Sequence, residues 1–85
     1  MTSRVAVIAI LLEDTEQVTP LNEILHRFGE YIIGRMGIPY QKRGIHIISV
    51  AVDAPQEIIS SLSGQLGRLP GVTVKAVYSK QKSIT

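Results

Sequence analysis

The stretch RVAVIAILL at Arg4–Leu12 is apolar at every position after its first, and IHIISVAV at Ile45–Val52 is nearly so. A strand points alternate side chains to opposite faces of its sheet, so a strand with one exposed face alternates apolar and polar residues. These two stretches do not alternate, and both of their faces therefore require burial. A chain of 85 residues has little with which to cover both faces. The pattern favours a protein that assembles with further copies of itself.

The composition is that of one small apolar domain, and we expect a core over residues 4–78 with a polar tail over 79–85. A net charge of +2 without a cluster of Lys and Arg argues against nucleic-acid binding. The absence of cysteine excludes disulfides and thiolate chemistry. No apolar run reaches the ~18 residues of a membrane span, and the acidic residues after Leu12 do not fit a signal peptide. We therefore expect a cytoplasmic protein without membrane contact.

The hydrophobic period changes after the first strand, where one stripe of apolar side chains predicts an amphipathic helix. Two starts are open for this helix. Thr19 could cap it with Pro20 at the first helical position, or Thr15 could cap an earlier turn. Gly29 is a typical helix end. The stripe consists of Val18, Leu21, Ile24, Leu25 and Phe28.

The rest of the chain predicts two further strands and a second helix. Tyr31–Ile38 is expected to be an edge strand, interrupted by glycines and ended by Pro39. After the strand Ile45–Val52, a second helix is expected to begin near Asp53, with Pro55 in its first turn. Its stripe is Ile58, Ile59, Leu62 and Leu66, and Gly67 follows. Val72–Ser79 alternates more clearly and predicts a strand at the other edge.

The order β-α-β-β-α-β predicts an α+β, ferredoxin-like fold with a four-stranded antiparallel sheet. Both helices lie on one face of such a sheet, so the other face is bare. In the first strand, the bare face takes either Val5, Val7, Ala9 and Leu11 or Ala6, Ile8, Ile10 and Leu12. Either set is apolar, which predicts a dimer or tetramer assembled through the sheet. The expected interface residues are Val5, Val7, Ile8, Ile10, Ile45, Ile47 and Ser49.

No arrangement of residues indicates catalysis, a metal or a cofactor. His26 and His46 occur without HxH or HxxxH spacing, so a metal site would lack converging ligands. No nucleophile elbow or phosphate-binding loop is present in the sequence. The acidic cluster Glu13, Asp14 and Glu16 could bind a ligand, but it also complements the dipole of the helix that follows. We expect a protein that is not an enzyme.

The glycine-rich centre holds the densest group of unusual residues. Arg35, Lys42 and Arg43 could bind an anion there, or they could keep an edge strand from aggregating. If a small effector binds, we expect its site between subunits, where the acidic turn meets this centre. The candidate residues are Glu13, Asp14, Gly34, Arg35, Met36, Gly37, Tyr40 and Arg43.

Three blocks of sequence carry a family resemblance: LNEILHRFGEYIIGRMGIPYQKRG at Leu21–Gly44, IHIISVAVDA at Ile45–Ala54 and LSGQLGRLPGV at Leu62–Val72. Over about Arg4–Tyr78, the chain resembles the iron-only hydrogenase system regulator family. That family is grouped with the ACT-like domains and is similar to the C-terminal sensor domain of nickel-responsive regulators. The resemblance implies a ferredoxin-like fold, oligomers assembled through sheets, and a regulatory role.

The resemblance does not carry the related ligand sites over. ACT domains often bind amino acids near the turn after the first strand, which is Glu13–Gln17 here, but this turn lacks the glycine typical of amino-acid binders. Nickel regulators bind their metal with histidine and cysteine, and this chain has no cysteine. We therefore expect a non-catalytic regulatory or sensor module that forms homo-oligomers.

Two alternatives to a sensor stay open. One is a structural or assembly partner without a ligand, in which the sheet face or edge binds another protein. The other is direct DNA binding, which is less favoured because βαββαβ uses the whole chain and leaves no helix-turn-helix. Contact with DNA would then depend on the tail at Lys80–Lys82 or on Arg35, Lys42 and Arg43.

Overall fold

The computed structural model describes residues 3–81, and the part of the expected tail over 82–85 lies outside these residues. The elements are β1 (Arg4–Leu12), α1 (Val18–Arg27), β2 (Ile32–Tyr40), β3 (Ile45–Ala54), α2 (Gln56–Gly67) and β4 (Val72–Tyr78). The strands form one antiparallel sheet in the order β2-β3-β1-β4. This confirms the predicted α+β, ferredoxin-like fold, with β2 and β4 at the edges. None of the helices in the described part is long and apolar enough to cross a membrane.

The core lies between the two helices and one face of the sheet. Alternate residues of β1 and β3 point into it, and they meet the apolar stripes of α1 and α2. Full burial of a Leu, Ile or Val side chain contributes about 1.5–3 kcal/mol, so this layer is the main source of stability. The buried residues are Ala6, Ile8, Ile10, Leu12, Leu21, Ile24, Leu25, Ile48, Val50, Val52, Ala54, Ile59, Leu62 and Leu66.

The entry to α1 differs from both predicted starts. A 3₁₀ turn over Thr15–Gln17 precedes the helix, and its cap is Asp14, whose carboxylate accepts a hydrogen bond from the backbone N–H of Glu16 at 3.0 Å. Asp14 therefore satisfies an N–H group that would otherwise lack a partner at the start of the turn. Pro20 lies in the first turn of α1, where no helical N–H bond is lost.

Two prolines occupy positions other than those expected. β2 continues through Pro39 to Tyr40, instead of ending at Ile38. An edge strand pairs on one side only, so a proline there need not cost a ladder hydrogen bond. β3 likewise extends to Ala54, and Pro55 is the cap residue of α2 rather than part of its first turn.

The strand β2 contains a bulge at Ile33. Ile32 lies opposite Val52 of β3, but Gly34 lies opposite Ala51, so two steps along β2 match one step along β3. The extra residue in one strand is the defining feature of a β-bulge. Directly opposite residues share a face of the sheet. Ile32 therefore faces the helices with Val52, whereas Gly34 lies on the opposite face with Ala51.

A tight contact joins the turn before β4 to the loop after β1. The backbone N–H of Glu13 donates to the carbonyl of Gly71 at 2.7 Å. Gly71 has a φ of +70°, and a Cβ at this position would lie 2.8 Å from the Cβ of Asp14. Both the backbone conformation and the space therefore require glycine here. The contact holds β4 in place against β1 at this end of the sheet.

Candidate functional site

One face of the sheet has no helix over it, and we call it the bare face. In β1 it carries Val5, Val7 and Leu11, whose side chains are 39–43% exposed. Polar residues also lie on the bare face, mainly on β4 and at a few positions of β3. Its large exposed apolar residues are Val5, Val7, Leu11, Met36, Ile38, Tyr40, Ile47 and Val77.

The predicted interface set divides between the two faces of the sheet. Val5, Val7, Ile45, Ile47 and Ser49 lie on the bare face, as the pairing of the strands requires.

Ile8 and Ile10 do not lie there. They are 0% and 1% exposed in the core beneath the helices, so their inclusion in a sheet-face interface was wrong. Both alternate sets of β1 are apolar, and only the packing of the helices decides which set is covered.

The edge strand β2 is unusually open to solvent. Every residue from Ile33 to Tyr40 is exposed, whichever face its side chain points to. Among them, Ile33 and Met36 are each 63% exposed. Monomeric proteins rarely expose a large continuous apolar patch unless it is an interaction site. The apolar surface of the bare face therefore continues to the edge of the sheet.

The predicted ligand residues do not form one site within a subunit. Gly34, Met36 and Tyr40 lie on the bare face, whereas Arg35 and Gly37 point to the helix side of β2. The remaining three lie at one end of the sheet, outside the strands.

At that end, Glu13 and Asp14 follow β1, and Arg43 lies in the turn between β2 and β3. The start of β3 lies between Glu13 and Asp14 on one side and Arg43 on the other, because His46 of β3 pairs with both Leu12 of β1 and Pro39 of β2. A composite site of all eight residues would need more than one subunit.

A depression of ≈ 220 Å³ lies on the helix side, between α1 and the β2–β3 edge of the sheet. We call it the α1–β2 pocket. Its wall is mostly apolar, and its polar lining residues are Asn22, Arg35 and His46. Nη2 of Arg35 donates a hydrogen bond to Oδ1 of Asn22 at 3.0 Å, which links β2 to α1.

Among the residues that line this pocket, only Arg35 and Gly37 were predicted from the sequence as ligand residues. His46 was considered as a metal ligand and set aside, and Asn22 was not singled out. Because alternate residues of a strand share a face, the spacing of Arg35, Gly37 and Pro39 could have placed them on one side of β2. The pocket residues that α1 contributes could not be predicted, because a local sequence pattern does not show how a helix packs on the sheet.

A larger depression of ≈ 560 Å³ runs along the outer surface of α1 and includes His26 and Glu23. Its lining residues all belong to this one helix or its first turn, so no second element brings further groups to it. Within residues 3–81, no group of three or more His, Asp and Glu could hold a metal ion. In the α1–β2 pocket, by contrast, groups from α1, β1, β2 and β3 converge.

A family model matches residues 4–76, which is most of the chain: the TM1266-like family, described as suggested regulators of the iron-only hydrogenase system. The chain belongs to the TM1266-like family. A solved structure supports this assignment, that of the uncharacterised protein TM1266 from Thermotoga maritima. It is 37% identical, with a TM-score of 0.87, and the match covers 92% of this chain and 99% of that one. The resemblance to the iron-only hydrogenase system regulator family is thereby confirmed.

Two further structures share the fold at low sequence identity. A formyltetrahydrofolate deformylase from Pseudomonas putida KT2440 is 10% identical with a TM-score of 0.62, and the match covers 86% of this chain and 28% of that one. A protein of unknown function from Galdieria sulphuraria is 14% identical with a TM-score of 0.63, covering 93% and 46%. No curated protein matches the chain. These two likenesses concern the fold alone.

Proposed function

We propose that this chain is a non-catalytic regulatory module of the iron-only hydrogenase system, and that it works as a homo-oligomer joined through the bare face. The observation that carries the proposal is the exposed apolar surface on the side of the sheet that has no helix over it. Membership of the TM1266-like family supports the regulatory part. The oligomer is a dimer or a tetramer.

The size of the bare face supports a stable contact. Four strands spaced about 4.8 Å apart, each rising about 3.3 Å per residue, give a flat area of roughly 19 by 30 Å. This is about 570 Å², close to the roughly 600–1,000 Å² that each partner contributes to a stable protein interface. Two such faces would stack about 10 Å apart, as the sheets of a β-sandwich do.

The effector part of the proposal concerns what the module senses. A small effector at a subunit border could change the free energy of assembly and so pass a signal to other proteins. At the open end of the sheet, the start of β3 lies between Glu13 and Asp14 on one side and Tyr40 and Arg43 on the other, and a second subunit could bring the two groups together.

A second candidate function is a ligand-free assembly partner for another protein. The observation that favours it is the exposure of β2 on both faces along its free edge. An exposed edge strand can pair with a strand from a different protein. In that case the bare face and the edge would bind a component of the hydrogenase system directly.

The test of the oligomer is Ile47→Lys, measured by sedimentation velocity at micromolar concentration. Ile47 lies on the bare face of the inner strand β3 and is 41% exposed, so each subunit of the variant should still fold. A buried lysine in the interface should weaken assembly by about 100-fold or more. A wild-type protein of monomeric mass would contradict the proposal.

The matched control is Ser61→Lys, which places the same side chain at an exposed position of α2 on the helix side. Its assembly should equal that of the wild type. Ile33→Lys separates the two candidate functions, because Ile33 is the bulge residue of the edge strand β2, is 63% exposed and is not among the residues of the bare face. Loss of a complex with host hydrogenase-system proteins, without loss of self-assembly, would favour the assembly partner.

A further inference from the structure

We propose that the α1–β2 pocket binds a small carboxylate with a short apolar body. The inference deepens the proposed function, because the carboxylate would be the effector of the regulatory module. It rests on three features of the pocket: its volume, its charge and the glycine in its wall.

The volume of the pocket suits a small metabolite. Its ≈ 220 Å³ is the share of roughly seven water molecules at about 30 Å³ each. Typical drug-sized ligands need 300 Å³ or more. The apolar wall comes from the end of β1, the first two turns of α1 and the start of β3, through Leu12, Val18, Leu21 and Ile48. A branched chain of a few carbon atoms fits such a wall.

The polar lining residues favour an anion. Arg35 and His46 belong to neighbouring strands and both line the pocket, and none of its described lining residues is acidic. A guanidinium has five N–H donors in a fork that matches a carboxylate, and the bond to Asn22 uses one of them. Asn22 holds the guanidinium toward α1, and an imidazole N–H of His46 can donate as well.

Gly37 keeps the pocket open. It lies opposite Ile48 on the helix side of β2, and a Cβ added there would meet only the Cγ1 of Ile48, at 4.0 Å. Its φ is not in the left-handed region, so the backbone does not require glycine. The missing side chain therefore leaves space in the pocket rather than relieving strain.

The strand β2 would connect this site to the proposed interface. Arg35 and Gly37 line the pocket, while Met36 and Tyr40 on the same strand lie on the bare face. A ligand that fixes β2 from the helix side would also fix the edge of the bare face. Ligand binding and assembly would then be coupled through one strand.

The experiment follows backbone amide shifts by NMR during titration of the full chain with isovalerate and, separately, with isovaleramide. The two probes have the same shape and differ in charge. Isovalerate should shift the amides of Gly37, His46 and Asn22 and saturate below about 20 mM, as expected for a ligand of so few atoms. It should bind about tenfold or more tightly than the amide, because charge-assisted bonds to Arg35 are the stronger ones.

Two variants test the pocket itself. Arg35→Gln should weaken isovalerate by about tenfold and leave isovaleramide within about twofold. Gly37→Val should abolish saturation for both probes by filling the pocket. Gly64→Val is the matched control, since it makes the same substitution at an exposed position of α2, away from the pocket and the bare face, with nothing within 4 Å of its Cβ. Gly64→Val should bind isovalerate within about twofold of the wild type.

The proposal is overturned if the two probes bind equally, if the shifts lie elsewhere, or if Gly37→Val binds as the wild type does. The mass of each variant by sedimentation reports separately on the proposed function. If the protein is an oligomer that does not bind isovalerate, the proposed regulatory oligomer is kept and the proposed ligand is rejected. A monomer that binds it removes the oligomer and keeps the pocket.

Discussion

Leu11 and Leu12 are neighbours of the same type on the same strand, but they belong to different surfaces. Leu12 is 0% exposed beneath the helices, and Leu11 is 43% exposed on the bare face. The difference comes only from the alternation of a strand, because composition and propensity are identical at the two positions. One side of the sheet is a completed core, and the other is an apolar surface without cover in a single chain.

The largest expected effect is at the covered face. Leu12→Ala should lower the free energy of unfolding by about 2–5 kcal/mol, because it leaves a cavity in the core. Leu11→Ala should cost less than about 1 kcal/mol in the monomer, since a large part of its side chain is already in water. Urea unfolding at several protein concentrations measures both.

The comparison of Leu11→Ala with Leu12→Ala also tests whether another subunit covers the bare face. If subunits cover Leu11, the cost of Leu11→Ala should grow with protein concentration, because assembly is then part of the measured stability. A cost of Leu11→Ala equal to that of Leu12→Ala at low concentration would show that the two faces do not differ as described.

A smaller loss of stability is expected for a substitution at Gly71, whose contact with the loop after β1 holds β4 against β1. Gly71→Ala should cost about 2–3 kcal/mol, because alanine must adopt a positive φ and its Cβ would press on Asp14. Thermal unfolding gives the loss.

Gly44 is the natural control for Gly71. It has a φ of +65°, but a Cβ there would have nothing within 4 Å. Gly44→Ala should therefore cost only the conformational part, about 1 kcal/mol. Equal losses at the two glycines would mean that the contact with Asp14 contributes nothing.

The smallest expected effect is at Ser63 of α2, on the side of the sheet that the helices cover. Within residues 3–81, the Oγ of Ser63 in α2 is buried without a hydrogen-bond partner. Ser63→Ala should raise the free energy of unfolding by about 0.5–1.5 kcal/mol, because it removes an unpaired polar atom and favours the helix. Ser61→Ala is the control, since the hydroxyl of Ser61 accepts a bond from Gln65 at 3.1 Å. A loss of stability in Ser63→Ala would show that the hydroxyl has a partner.

The element order could be predicted because it depends on local patterns. The apolar runs of β1 and β3 and the stripe of α1 are strong signals, and they lead to the ferredoxin-like fold without further information. The choice of face for Ile8 and Ile10 could not be predicted. Both faces of β1 are apolar, and only the position of the helices separates a core residue from a bare one.

The pocket was only partly predictable for a similar reason. Arg35 and Gly37 stood out as unusual residues within an apolar strand. Their partners Asn22 and His46 lie on a helix and on another strand, and the register that joins them depends on the bulge at Ile33. A bulge is one extra residue without a distinctive sequence, so alternation counted from Ile32 gives the wrong face for the rest of β2.

The bulge has a consequence for how relatives of this chain should be aligned. Removing Ile33 would leave Gly34 opposite Ala51 as the next regular pair after Ile32 and Val52, so Arg35 and Gly37 would stay in the pocket and Met36 on the bare face. Loss of a residue from β2 after the bulge would instead exchange the sides of the residues that follow it. A gap at Ile33 is therefore compatible with the same pocket and the same apolar edge, whereas a gap further along β2 would mark a change of ligand and of partner at once.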